Sequence, residues 1–130
     1  MALTPSEIDA WAAAYIEAAA SSDYAKDDYP LWWAIERFMV GVISEAAEAE
    51  DCWVAILVVL SRNPTDQVLG VLAAGPLEDL IDHHGPEFIE RIELLARRDP
   101  AFRSLLRGVW KSSTPEIWER VEKAQGYHAA

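Results

Sequence analysis

Cys52-Trp53-Val54-Ala55-Ile56-Leu57-Val58-Val59-Leu60, followed by Ser61-Arg62-Asn63-Pro64, is the stretch on which the fold turns. An unbroken apolar run rich in Val and Ile suits a buried strand as well as a helix apolar on every side. Two features select the helix. The first is the polar corner Arg62-Asn63-Pro64. The second is a weak repeat: Cys52–Pro64 superimposes on Phe88–Pro100, with Ile56 on Ile92, Arg62 on Arg98, Asn63 on Asp99 and Pro64 on Pro100, and farther on Leu69 on Leu105. The second copy has a helical period, with Phe88, Ile89, Ile92, Leu95 and Ala96 on one side. Glu87–Arg91 and Glu93–Arg97 stand at i,i+4 spacing on the other. Each unit reads as a long helix, a polar corner and a shorter apolar helix, a period in the solenoid range.

Working outward, proline marks the remaining boundaries, because its missing N–H is harmless in the first turn of a helix. Thr4-Pro5-Ser6-Glu7 is a capping box, and Asp99-Pro100 and Thr114-Pro115 repeat the cap-then-proline order. Gly75-Pro76 and Gly85-Pro86 read as a helix stop followed at once by a start. About eight short helices are expected, over 5–20, 30–44, 51–62, 66–74, 76–84, 86–98, 100–110 and 115–125. Ile8, Trp11, Ala12, Tyr15 and Ala19 form one apolar stripe, and Trp32, Ile35, Met39 and Val42 another. Ser21–Asp28 and Glu45–Asp51 read as surface loops, and 126–130 as a frayed tail. The expected architecture is all-α: a single domain over 1–130 of stacked antiparallel helix pairs, HEAT-like or α-solenoid-like.

Composition narrows the functions. The 130 residues carry 22 acidic and 11 basic side chains, a net charge of −11, with 52% hydrophobic content. That is enough apolar material for a core. The charge is uneven: residues 1–60 hold eleven acids against Lys26 and Arg37, whereas 61–130 hold eleven acids against nine bases. An acidic surface opposes nucleic-acid binding. The longest apolar run is half a membrane span, and Met1-Ala2-Leu3-Thr4-Pro5 has no secretory pattern. With one cysteine there is no internal disulfide, so a cytoplasmic location is expected.

Motifs that carry chemistry are sparse. No phosphate loop, dinucleotide fingerprint or nucleophile elbow occurs. Asp79 and His83 share a helix face, with His84 beside them, a possible corner of a metal site. His128 lies far off in the tail, and histidines ahead of Gly85 also suit the negative end of a helix. Cys52, flanked by Glu50 and Asp51, reads as a structural thiol with a raised pKa. Glu78-Asp79 suits a helix's first turn. Neither a cofactor nor a metal is expected.

Six tryptophans stand at 11, 32, 33, 53, 110 and 118. Trp32 and Trp33 point about 100° apart on a helix, so one can fill the core while the other edges a groove.

Gly70-Val71-Leu72-Ala73-Ala74-Gly75-Pro76-Leu77-Glu78-Asp79-Leu80-Ile81, then His84-Gly85, Phe102-Arg103 and Leu106-x-Gly108-Val109-Trp110, with Trp32-Trp33-Ala34 upstream, resembles a family of short uncharacterised bacterial proteins, a domain of unknown function. The resemblance spans 30–120 and implies no activity. The expectation is a non-catalytic interaction module that binds a basic protein, narrowly an immunity- or antitoxin-like one. Its expected binding residues are Trp32, Trp33, Glu36, Glu78, Asp79, His84 and Trp110. The alternative is a small metal-dependent hydrolase centred on Asp79, His83 and His84.

Overall fold

A computed structural model describes residues 3–23, 26 and 28–127. The helices are α1 (Pro5–Ala20), α2 (Trp32–Gly41), α3 (Ala46–Ser61), α4 (Asp66–Leu72), a π-helical turn (Ala73–Leu77), α5 (Glu78–Arg98), α6 (Pro100–Leu106) and α7 (Pro115–Gln125). No strand occurs among the described residues. The deciding stretch, 52–60, lies inside α3, and the chain is all-α.

The capping signals work as written. Thr4 Oγ1 accepts from the Glu7 amide at 3.2 Å while Glu7 Oε1 accepts from the Thr4 amide at 2.9 Å. Asp99, Thr65 and Thr114 each cap the helix that follows them. The two Gly-Pro joints behave differently from each other. α4, the π turn and the first half of α5 run on without a break across Pro76, and a kink at His84 separates the two halves of α5, so the eight expected helices become six helical stretches. Pro76 would clash with the carbonyl of Leu72 in a regular helix. The π turn widens that step, and the Glu78 amide reaches back to Ala73 O. Pro86 is absorbed by a kink, where His84 leaves helical geometry (φ −133°, ψ 26°) and a new helical half begins.

Three further expectations change. Glu45–Asp51 is not a loop: Ala46–Asp51 opens α3, where Ala favours the helix and Glu48 complements its positive end. The buried side of α2 is Ala34, Phe38 and Gly41, followed by Val42, whereas Trp32 and Ile35 are half-buried and Met39 is exposed. On α5, Arg91 and Glu93 reach other helices instead of their i,i+4 neighbours. Arg91 grips Glu50 of α3 with both terminal nitrogens, and Arg120 of α7 grips Glu93.

One continuous core joins the helices. α1 lies along α3 and also meets α2 and α4, while α5 packs on α7 and α6. Ring contacts tie the layers. Trp11 and Tyr15 of α1 stand 4.4 and 4.9 Å from Phe38 of α2. Trp53 of α3 meets Phe88 and Phe102 at 5.6 and 5.7 Å. The indole N–H of buried Trp11 donates to Ala34 O at 2.9 Å, so its polar end is satisfied. Gln125 and Arg107 close the α6–α7 corner through Leu106 O and Gln125 O. Gly126 and Tyr127 are placed, with Arg103 over the Tyr127 ring. His128 and the last two residues of the tail lie outside the described residues.

Candidate functional site

The stripe that leaves α2 facing the core with Ala34, Phe38 and Gly41 turns its large side chains outward. Trp33 is 40% exposed, Met39 52%, Val40 54% and Ile43 66%. Beside them a cavity of about 470 Å³ opens between α2 and the start of α3, floored by Trp11 and Cys52. Trp33, Arg37, Val40 and Gly41 line one side, and Ser44, Glu48 and Asp51 the other, with Glu36 at the rim. The Arg37 guanidinium sits 5.5 Å from the Trp11 ring and 5.3 Å from the Trp33 ring, so it fixes the exposed indole by cation–π attraction. The Asp51 carboxylate accepts the Leu3 amide at 3.2 Å. The result is an aromatic and aliphatic surface bordered by three carboxylates and one arginine.

Of the expected binding residues, Trp32, Trp33 and Glu36 come together on α2, with the Trp32 indole donating to Glu36 at 3.3 Å. Neither Trp32 nor Trp33 fills the core. Glu78 and Trp110 meet elsewhere: Glu78 Oε1 accepts the Trp110 amide at 2.9 Å, and the Trp110 side chain is 75% exposed. Asp79 lines a second cavity, against the opposite side of α2. His84 stands at the α5 kink, edge-on to Phe88 at 6.5 Å. The Trp33 cavity includes none of Glu78, Asp79, His84 and Trp110.

Among the described residues no three His, Cys, Asp or Glu side chains are placed to hold a metal ion, and Asp79, His83 and His84 form no such set. His83 stands 4.0 Å from Asp82 on the surface. Cys52 is fully buried, and its pKa is pushed up to about 12 by burial first and by the charges of Asp51 and Glu48 second. Glu48 and Asp51 are legible in the sequence as part of its acidic first half, but not as neighbours of Trp33, and Arg37 carries no expected role. Trp33 and Arg37 stand at i,i+4, a spacing that could have revealed the stacked pair. Reading Glu45–Asp51 as a loop leaves out the helical turn that sets Glu48 and Asp51 beside the cavity.

The chain belongs to a family of unknown function (DUF6869), whose pattern covers residues 21–128. No curated protein and no solved structure matches it. No helix among the described residues is long and apolar enough to cross a membrane.

Proposed function

We propose that the chain is a non-catalytic interaction module that docks a basic protein on the outer side of α2. The observation that carries this reading is the gathering of Trp33, Val40 and Ile43, all exposed, within one short segment. Scattered single exposed apolar residues are ordinary, whereas a contiguous patch rimmed by polar groups suits a partner surface. Tryptophan is the side chain best suited to anchor it. Glu36, Glu48 and Asp51 beside the patch favour a partner with Lys or Arg around an apolar centre. The excess of acids over residues 1–60 adds long-range attraction.

Antitoxin- or immunity-like masking of a basic partner in bacterial cytoplasm is the narrower form of this reading. We read the framework as HEAT-like. The neighbouring positions of α3 and α5, and of α4 and α6, are what supports it.

Affinity capture from the native cell tests the proposal, comparing the wild type with Trp33→Ala/Ile43→Ser and with Glu36→Lys/Glu48→Lys. A basic protein captured by the wild type and lost by both variants is the expected result. A partner set unchanged by either variant, or one dominated by acidic proteins, sinks the reading. Glu50 is left alone because it is engaged with Arg91.

A further inference from the structure

A second cavity, of about 180 Å³, opens between α1, α2 and the π turn. Its walls are hydrocarbon and ring: Tyr15, Ile35, Phe38, Met39, Val71 and Pro76. One carboxyl lines it, that of Asp79, with no hydrogen bond or ion pair to another described residue. Its neighbours in the same stretch of α5 are matched. Glu78 accepts the Trp110 amide and Asp82 accepts the Ser113 amide. A half-buried carboxylate without a donor costs free energy. Burial, and then the charges of Glu78 and Asp82, hold the Asp79 pKa above its ordinary value, with His83 opposing them.

Two backbone features point the same way. The wall carrying Pro76 is the π turn, a form that recurs at functional sites. Gly75 also lines the cavity, and a Cβ there would meet no heavy atom within 4 Å. Its φ is not left-handed. Packing within the chain therefore leaves Gly75 free to be larger, although the following proline favours a residue without Cβ. A side chain at this lining position would have open space beside it.

We propose that this cavity binds a compact alkylammonium group, its hydrocarbon part against Ile35, Phe38, Met39 and Val71 and its N–H donors on Asp79. The group supplies the donors that Asp79 lacks, and its carbon chain replaces water against apolar walls. The site stands whether or not the outer side of α2 docks a protein.

Isoamylamine, isoamyl alcohol and Nα-acetyl-lysine methylamide, titrated at neutral pH and followed by two-dimensional amide NMR, test it. Isoamylamine is expected to shift the Val71, Gly75 and Asp79 amides with saturation. The alcohol, nearly the same shape without charge, should bind at least about tenfold more weakly for want of the charge-assisted hydrogen bond. Asp79→Asn should reduce the amine to the level of the alcohol. Gly75→Leu, which fills the opening, should weaken the amine while the rest of the spectrum keeps its dispersion, and it serves as the reading should Asp79→Asn not fold. Saturable binding of the lysine derivative as well would assign the site to a partner's lysine side chain, and binding of isoamylamine alone would assign it to a free amine. Equal affinity for amine and alcohol, shifts confined to the Trp33 cavity, an Asp79→Asn variant that binds the amine undiminished, or no saturation would each overturn the proposal.

Discussion

A Cβ placed on Gly41 would stand 2.6 Å from the Sγ of Cys52. α2 therefore meets α3 at a point where one helix has no side chain and the other a small, fully buried one. Gly41→Ala should improve helix propensity yet destabilise the protein, by about 1–3 kcal/mol, because the sulfur and its surroundings must move. In a Cys52→Ala background the same substitution should cost far less. Urea unfolding of the four proteins gives the coupling directly, and an equal penalty in both backgrounds would refute the close contact.

The Cys52 thiol itself should be inert. Its pKa is pushed up to about 12, first by burial and then by Asp51 and Glu48. Thiolate is the reactive form, so an aromatic disulfide reagent at mildly alkaline pH should label Cys52 only as fast as the protein opens. Labelling should become immediate in urea. Immediate labelling of the native protein would contradict the burial.

The sequence made the skeleton legible wherever a boundary rests on local chemistry. Thr4, Asp99 and Thr114 cap where they are read to cap, because a side-chain oxygen two or three residues ahead of a free amide needs no distant partner. Pro76 does not end a helix as its Gly-Pro pair suggests, whereas at Gly85-Pro86 the helix does kink, at His84, where the sequence places a break. Whether a proline ends a helix or is absorbed depends on the neighbouring turn, and that turn is held by tertiary packing. The α2 stripe was read from the size of Trp32, Ile35 and Met39. Its true core side is marked by the small residues Ala34 and Gly41, which let α2 approach its neighbours closely. The candidate surface was half legible for the same reason. Trp33 and Glu36 were visible as types, but their exposure follows from which side Gly41 turns inward.

The Glu50 carboxylate, gripped by Arg91, is held below the ordinary glutamate range, and so is Glu93 by Arg120. A depressed folded-state value means that the contribution to stability is complete above the unfolded value near 4.5 and is lost as pH falls through the folded one. Glu50→Gln should therefore lower stability at neutral pH, by about 0.5 kcal/mol after solvent screening. The difference from wild type should close in acid. Chemical denaturation across the acid range checks both halves, and a constant difference down to the lowest pH would show that packing, not charge, is responsible.

Asp79 has the opposite sign. Its folded-state pKa is raised, chiefly by burial, so its ionised form opposes folding at neutral pH, and protonation relieves that cost as pH falls through the raised value. Asp79→Asn should be at least as stable as wild type at neutral pH, and the gap should vanish in acid, where both side chains are neutral. A marked loss of stability on this substitution would mean that the carboxylate is held by a donor.

Trp110 is presented by a loop that α5 holds from below. Glu78 and Asp82, four residues apart on one helix face, accept the amides of Trp110 at 2.9 Å and Ser113 at 3.0 Å. Ser113 takes a left-handed φ of 65°, a conformation that costs free energy for a residue with a Cβ and needs such external support. The loop also presses on the α5 kink, where a Cβ on Gly85 would lie 2.8 Å from Ser113 Oγ and 2.9 Å from Ile117 Cγ2. Glu78→Ala/Asp82→Ala should speed amide exchange at Trp110 and Ser113 while the α3 core amides keep their protection. Gly85→Ala should act from the other side, forcing Ser113 and Ile117 outward at a cost of about 1–3 kcal/mol. Unchanged exchange in the carboxylate variant would mean that the buried Val109 anchors the loop without the two acids. Accelerated exchange would identify α5 as the element that sets where the exposed indole stands.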